Sequence, residues 1–179
     1  DIEDVWQRIG LKDTLIGDNL ILHDYVRIGN LKGNGGIFRL DLDVDNKNNS
    51  DMIYIESTSE TEKRVHYIEP YNLQNLENIS KDNTLTFAWT GKDAANITFA
   101  DKMNFYGETL YDYELQINSA EITTEEQAKQ FAESEYNKTD LSFGKEKASQ
   151  VLDQFDLLNS RYWFVERVTL SASASTVGM

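Results

Sequence analysis

The chain of 179 residues carries 31 Asp and Glu against 17 Lys and Arg, a formal charge of −14, so attraction to nucleic-acid phosphates or to an anionic membrane surface is disfavoured. It contains no cysteine, which excludes disulfides and thiol chemistry, and no apolar run approaches the roughly 20 residues that a membrane-spanning helix needs. With 40% apolar residues, this length predicts one compact unit or a continuous stack of repeats without a true boundary.

In residues 1–30, short strand-like pieces at Thr14 to Ile16, Asn19 to Leu22 and Tyr25 to Ile28 are separated by Gly17, Asp18, His23 and Asp24, a spacing that suits solenoid rungs. A glycine-rich corner follows at Gly33 and Gly35, where φ freedom lets the chain turn sharply. Beyond it Phe38, Leu40, Leu42 and Val44 alternate with Arg39, Asp41, Asp43 and Asp45, which predicts a strand with one core face and one solvated acidic face. Ile53 and Ile55 repeat the alternation. Strands between residues 37 and 117 are expected to form an irregular antiparallel sandwich filled by Phe38, Ile53, Phe87, Trp89, Phe99, Tyr113 and Leu115.

The interval from Thr123 to Leu158 changes period. Thr123 and Glu126 have capping-box spacing, and Ala128, Phe131 and Ala132 share a face, predicting a helix over 124–136. Ala148, Val151, Leu152, Phe155 and Leu158 predict a second helix over 145–158. The tail Ser171 to Met179 is small and polar and reads as a linker.

Three blocks occur in an order that resembles one known family. Asn30, Leu31, Gly33, Gly35, Phe38, Leu40, Ser50, Asp51, Ile53 and Ile55 form the first; TLTFAWTGKDAANITFADKMNFYGETLYDYELQI, residues 84–117, with a Thr-Gly turn after its first strand, forms the second; Tyr162-Trp163-Phe164 forms the third. Together they resemble the C-terminal, pertactin-like autochaperone region of type V autotransporter passengers. The resemblance implies a mainly β fold: the end of a right-handed parallel β-helix, capped by a β-sandwich-like autochaperone region with a helical insertion near 123–158. It implies terminal rungs over 1–30, the capping domain over 31–170 and a linker toward the translocator barrel over 171–179. Phe38, Trp89, Phe99, Tyr113, Tyr162 and Trp163 are then the cap core, and Gly33, Gly35 and Gly107 its turns. The implied partners are the protein's own upstream β-helix and the downstream barrel. The place is the cell surface, reached through the outer membrane of a Gram-negative bacterium. The opening DIEDVWQRIG does not read as a signal peptide, so signal and barrel are expected outside this sequence.

Chemistry-bearing patterns are sparse. His23 and His66 are the only histidines and lack metal-ligand spacing, so each reads as an ordinary surface or strand residue. Asp41, Asp43, Asp45, Asn46 and Asn49 alternate like a calcium loop, but Asn46 stands where glycine is required and Met52 where a bidentate Glu is required. No nucleophile elbow, Walker loop or dinucleotide fingerprint occurs; Gly33-Asn34-Gly35-Gly36 lacks the lysine and following helix of a phosphate cradle. The surplus carboxylates specify no acid/base pair, so a carbohydrate-active enzyme is a weak third reading. Trp89, Tyr106, Tyr111, Tyr113, Tyr162 and Trp163 read as core before they read as a sugar platform. The resemblance thus implies a folding element, and the residue patterns add no catalytic site, cofactor or metal. The alternative is an adhesin module contacting a host protein or glycan through the helical insertion or the acidic face, with Phe131, Tyr136 and Phe155 left exposed as a patch.

Overall fold

A computed structural model describes residues 25–45, 50–102, 113–138 and 155–170. The strands are β1 (Tyr25–Ile28), β2 (Ile37–Asp43), β3 (Met52–Ser57), β4 (Arg64–Gln74), β5 (Leu85–Asp93), β6 (Ile97–Asp101), β7 (Tyr113–Ile122) and β8 (Ser160–Leu170), with helix α1 (Glu125–Lys138) between the last two. They form a five-stranded sheet ordered β1-β3-β5-β8-β7 and a three-stranded sheet ordered β2-β4-β6. Among the described residues the protein is mainly β, with parallel sheets and one α-helix.

β1, β3 and β5 of the first sheet are each followed by a corner and then by a strand of the second, β2, β4 and β6. In consequence β1, β3 and β5 stack in parallel, with Val26 beside Ile53 and Ile53 beside Ala88. β2, β4 and β6 stack in parallel likewise, with Phe38 beside Ile68 and His66 beside Phe99. This corrects the antiparallel sandwich expected between residues 37 and 117. Antiparallel neighbours arise when a hairpin turns the chain back on itself, whereas these corners hand the chain to the opposite sheet and return it in its former direction. Antiparallel pairing begins only at β8, which lies between β5 and β7.

The two sheets enclose one core, with Leu40, Leu42, Ile68, Ile97 and Phe99 from the smaller sheet meeting Ile53, Ile55, Leu85, Phe87, Trp163 and Val165 from the larger. The outer face of the larger sheet is also covered. Met52, Tyr54, Trp89 and Ile122 pack there beneath Phe131 and Ala128 of α1 and the incoming segment at Phe155 and Leu157. β3 is therefore buried on both faces from Met52 to Ile55, the condition expected of a parallel strand covered on both sides.

The helix begins one residue later than its predicted cap. Thr124 Oγ1 accepts the Gln127 N–H at 3.1 Å and Gln127 Oε1 accepts the Thr124 N–H at 3.3 Å, so the reciprocal box is Thr124 with Gln127, not Thr123 with Glu126. The second predicted helix does not extend over 155–158. That segment is irregular because it feeds β8: the Ser160 N–H donates to Leu157 O, Asn159 takes a left-handed φ of 64°, and Phe155 lies flat on Trp89 at 4.5 Å. The remainder of that predicted helix, the strand-like pieces at Thr14 to Ile16 and Asn19 to Leu22, Gly107 and the tail 171–179 fall outside the described residues.

The Thr-Gly turn expected in the second block is also absent: Thr90 and Gly91 lie inside β5, and the chain turns at Ala94–Asn96 instead. Gly91 is needed for packing, since a Cβ there would collide with the backbone carbonyl of Glu56 on the adjacent β3. Gly91→Ala is expected to destabilise the protein by about 1–3 kcal/mol, seen as a lowered urea midpoint at unchanged slope; a midpoint equal to wild type would disprove the close approach.

Candidate functional site

Parallel stacking leaves the corners to be held by side chains, and this is where the polar residues gather. In the first corner, Asn30 Oδ1 accepts the Ser59 N–H at 2.9 Å and Asn34 Oδ1 accepts the Val65 N–H at 2.7 Å, each from the corner beneath. The Gly33 N–H donates to Glu60 Oε1 at 2.6 Å, and the Gly35 N–H donates to Val65 O at 2.8 Å. Gly33 and Gly35 hold φ of 96° and 79°, which L residues rarely adopt. One level on, Asn96 Nδ2 donates to the carbonyls of Glu60 and Glu62 at 3.0 and 2.8 Å. Arg64 bridges Glu60 and Glu62 at 2.8 and 3.0 Å. Its guanidinium and then the Gly33 N–H hold the Glu60 carboxyl below the ordinary carboxylate range.

The opposite corner overturns the solvated acidic face. Asp41 and Asp43 are buried, because the chain folds back to cover them. Asp51 Oδ2 accepts the Asp41 N–H at 2.8 Å, Ser50 Oγ accepts the Asp43 N–H at 2.8 Å, and Asn75 Nδ2 donates to Asp43 Oδ1 at 3.1 Å. Only Asp45 is exposed, and Asn78 Nδ2 donates to both its oxygens. These carboxylates act as acceptors that mend a strand end; among the described residues no group of three or more His, Asp or Glu is arranged to hold a metal ion.

Of the six aromatic residues predicted as one cap core, five divide between two clusters. Phe99 and Trp163 are buried between the sheets and meet edge to face at 5.5 Å; Phe38 is half-buried against Phe99 at 6.1 Å. Trp163 also donates through Nε1 to Thr90 Oγ1 at 3.0 Å. Trp89 and Tyr162 lie on the outer face under α1 and the 155–157 segment, where Trp89 Nε1 donates to Ser160 Oγ at 2.7 Å. Tyr113 opens β7, in register with Leu170 of β8. Phe131 is buried and Phe155 stacks on Trp89, so neither forms the exposed patch that a binding helix would present. Among the described residues Ile37, on the edge strand β2, is the large hydrophobic side chain left exposed.

A cleft of about 400 Å³ opens beneath α1, lined among others by Thr86, Gln127, Gln130, Phe131, Glu135 and Tyr162. One of its lining residues, the buried Glu135 of α1, accepts the Tyr54 hydroxyl at 2.8 Å. Sequence reasoning passed over Glu60, Asn34, Asn96 and Asp101, which join neighbouring levels. Asp101 Oδ2 accepts the Leu115 N–H at 2.7 Å and so ties the smaller sheet to β7. A usable signal was present in Asn34 and Asn96, since asparagine just before a strand is suited to mending corner backbone through its side chain.

Asn96→Ala removes two hydrogen bonds to corner carbonyls and is expected to cost about 1–3 kcal/mol by chemical denaturation, with faster amide exchange at Arg64, whose N–H donates to Asn96 O. Exchange as slow as wild type would show that the Asn96 side chain does not hold the corner. The chain matches no protein-family model, no curated protein and no solved structure.

Proposed function

We propose that this chain is the stabilising cap and folding nucleus, an autochaperone element, of an autotransporter passenger that crosses the outer membrane and folds as a parallel β-helix on the cell surface. The observation that carries the reading is the change of pairing along one sheet: parallel from β1 to β5, antiparallel through β8 and β7. A stack of parallel rungs exposes unpaired backbone at each end and invites uncontrolled pairing there. The β7–β8 pair takes up the free edge of β5 and ends the parallel stacking of the larger sheet there. At the other end β1 and β2 are the outermost strands of their sheets among the described residues, and both run in the direction that a further rung would follow.

The mechanism follows from burial. A rung gains its apolar contacts only once a neighbour is in place, so a preformed level lowers the barrier for the next one. A segment that folds first outside the cell would also oppose backsliding through the export pore. The partners on this reading are the upstream passenger and the downstream barrel, and none of the residues singled out has a catalytic role. The two buried tryptophans and the stapled corners support a nucleus that holds together independently.

One feature favours a second reading, a binding module: the polar cleft beneath α1, next to a helix that the parallel stack does not require. Surface display separates the two. Trp163→Ala is expected to destabilise the fragment by about 3–5 kcal/mol and to lower the folded, displayed passenger in parallel; Phe38→Ala, only half-buried, should do both to a smaller degree. If display stays at the wild-type level while the fragment unfolds, the autochaperone reading is wrong and the binding module replaces it.

A further inference from the structure

His66 is a buried titratable side chain that the reading above does not use. It lies on β4 with 3% of its surface exposed. Its Nδ1 accepts the Gly36 N–H at 3.0 Å, which places the proton of the neutral ring on Nε2. Nε2 is itself buried and has no hydrogen-bond partner among the described residues. The fit around Nδ1 is close: a Cβ on residue 36 would stand 2.7 Å from it. On either side of Gly36 the backbone is bound to the same strand, the Gly35 N–H donating to Val65 O and the Tyr67 N–H donating to Gly36 O. The entry to β2 is thus fastened to β4 around this one imidazole.

The surroundings do not favour a charged ring. From β2 it meets the edge of Phe38 at 6.0 Å, and on β6 its register partner is Phe99. The nearest inward carboxylate on β6, Asp101, accepts the Leu115 N–H. From the corner Glu60 favours the imidazolium, but that carboxylate already binds Arg64 and the Gly33 N–H, and Arg64 on β4 opposes it. Burial outweighs these opposed charges and pushes the ring below the ordinary histidine range.

We propose that His66 is an acid-sensitive latch: neutral, it fastens the start of β2 to β4 through Gly36; protonated, it sets two donors against each other at that contact and releases the outer end of the stack, while β5, β8 and β7 stay assembled. The folded-state value lies below the unfolded one, so the latch contributes its full stability above about pH 6.5. That stability is lost as pH falls from there to the folded-state value, and no further loss from this group follows below it.

The test is amide hydrogen exchange on the whole chain at pH 7.5 and pH 5, corrected for intrinsic rates, beside an NMR titration of the His66 ring and the variants His66→Asn and His23→Asn. Protection at Gly36 and Tyr67 is expected to fall at pH 5, toward a limit of roughly tenfold for each unit by which the ring titrates below its free value. Protection along β8 should not change. His66→Asn keeps an acceptor near the Nδ1 position and should abolish the pH effect, whereas His23→Asn should retain it. The proposal is overturned if Gly36 stays protected while the ring becomes charged, or if β8 opens together with Gly36. Should His66→Asn fail to fold, the wild-type ring titration decides: an ordinary value with an unperturbed Gly36 amide sinks the latch.

Discussion

Every strand in the parallel part of this protein finds its hydrogen-bond partners about one whole level away in sequence, and the rest of the structure depends on that constraint. Val26 pairs with Ile53 and Ile53 with Ala88; Ile37 pairs with Tyr67 and Tyr67 with Ala100. No such pair forms without a long loop closing first, so the entropy of closure precedes any reward from burial. The corner hydrogen bonds are the local answer. Asn30, Asn34 and Asn96 join each turn to the next through side chains, so that two levels become bound at the corner as well as along the strand.

Burial on both faces of the larger sheet divides its aromatic residues. Trp163 faces the interior and donates to Thr90, whereas Trp89 faces outward and donates to Ser160 at the start of β8. The two indoles thus secure the same β5–β8 seam from opposite sides. Phe155 stacks on Trp89, and Phe131 stacks on Tyr162 at 5.5 Å, so α1 and the segment at 155–157 extend the packing of this seam. Tyr54 continues the outer layer to β3 and reaches Glu135 of α1 with its hydroxyl. Buried tyrosine and tryptophan place apolar surface and a polar tip at one position, which suits a layer lying between a sheet and an amphipathic cover.

The alternation of Phe38, Leu40 and Leu42, and of Ile53 and Ile55, was enough to identify core faces, and the stretch Tyr25 to Ile28 was readable as a strand from its flanking polar residues. Strand direction was not readable, because period-two patterning fixes which face is inside and says nothing of which neighbour pairs or in which sense. Asp41 and Asp43 misled for a related reason: their cover, Ser50, Asp51 and Asn75, comes from beyond the strand's own end and from the next level. Trp89 was legible as buried but not as outward-facing, since the pairing register shifts between Thr86 and Ala88. The helix start was misjudged by one residue because Thr123 and Thr124 both precede an acidic turn, and it is the Gln127 backbone N–H, donating to Thr124 Oγ1, that selects Thr124. Of the corners, the glycines were visible through their conformational freedom, whereas His66 gave no sign of burial in a strand that also carries Arg64 and Glu69.

The position of β8 has a mechanical consequence. It is the last described strand, yet it is central in its sheet, with β5 on one side and β7 on the other. A pull applied through Leu170 along the strand does not peel an edge one hydrogen bond at a time. It loads two antiparallel ladders together in shear, with the Trp89 and Trp163 anchors resisting from both faces. Tension arriving from the chain beyond β8 therefore meets a strand braced on both edges and both faces, and the stack of parallel levels is shielded from that load.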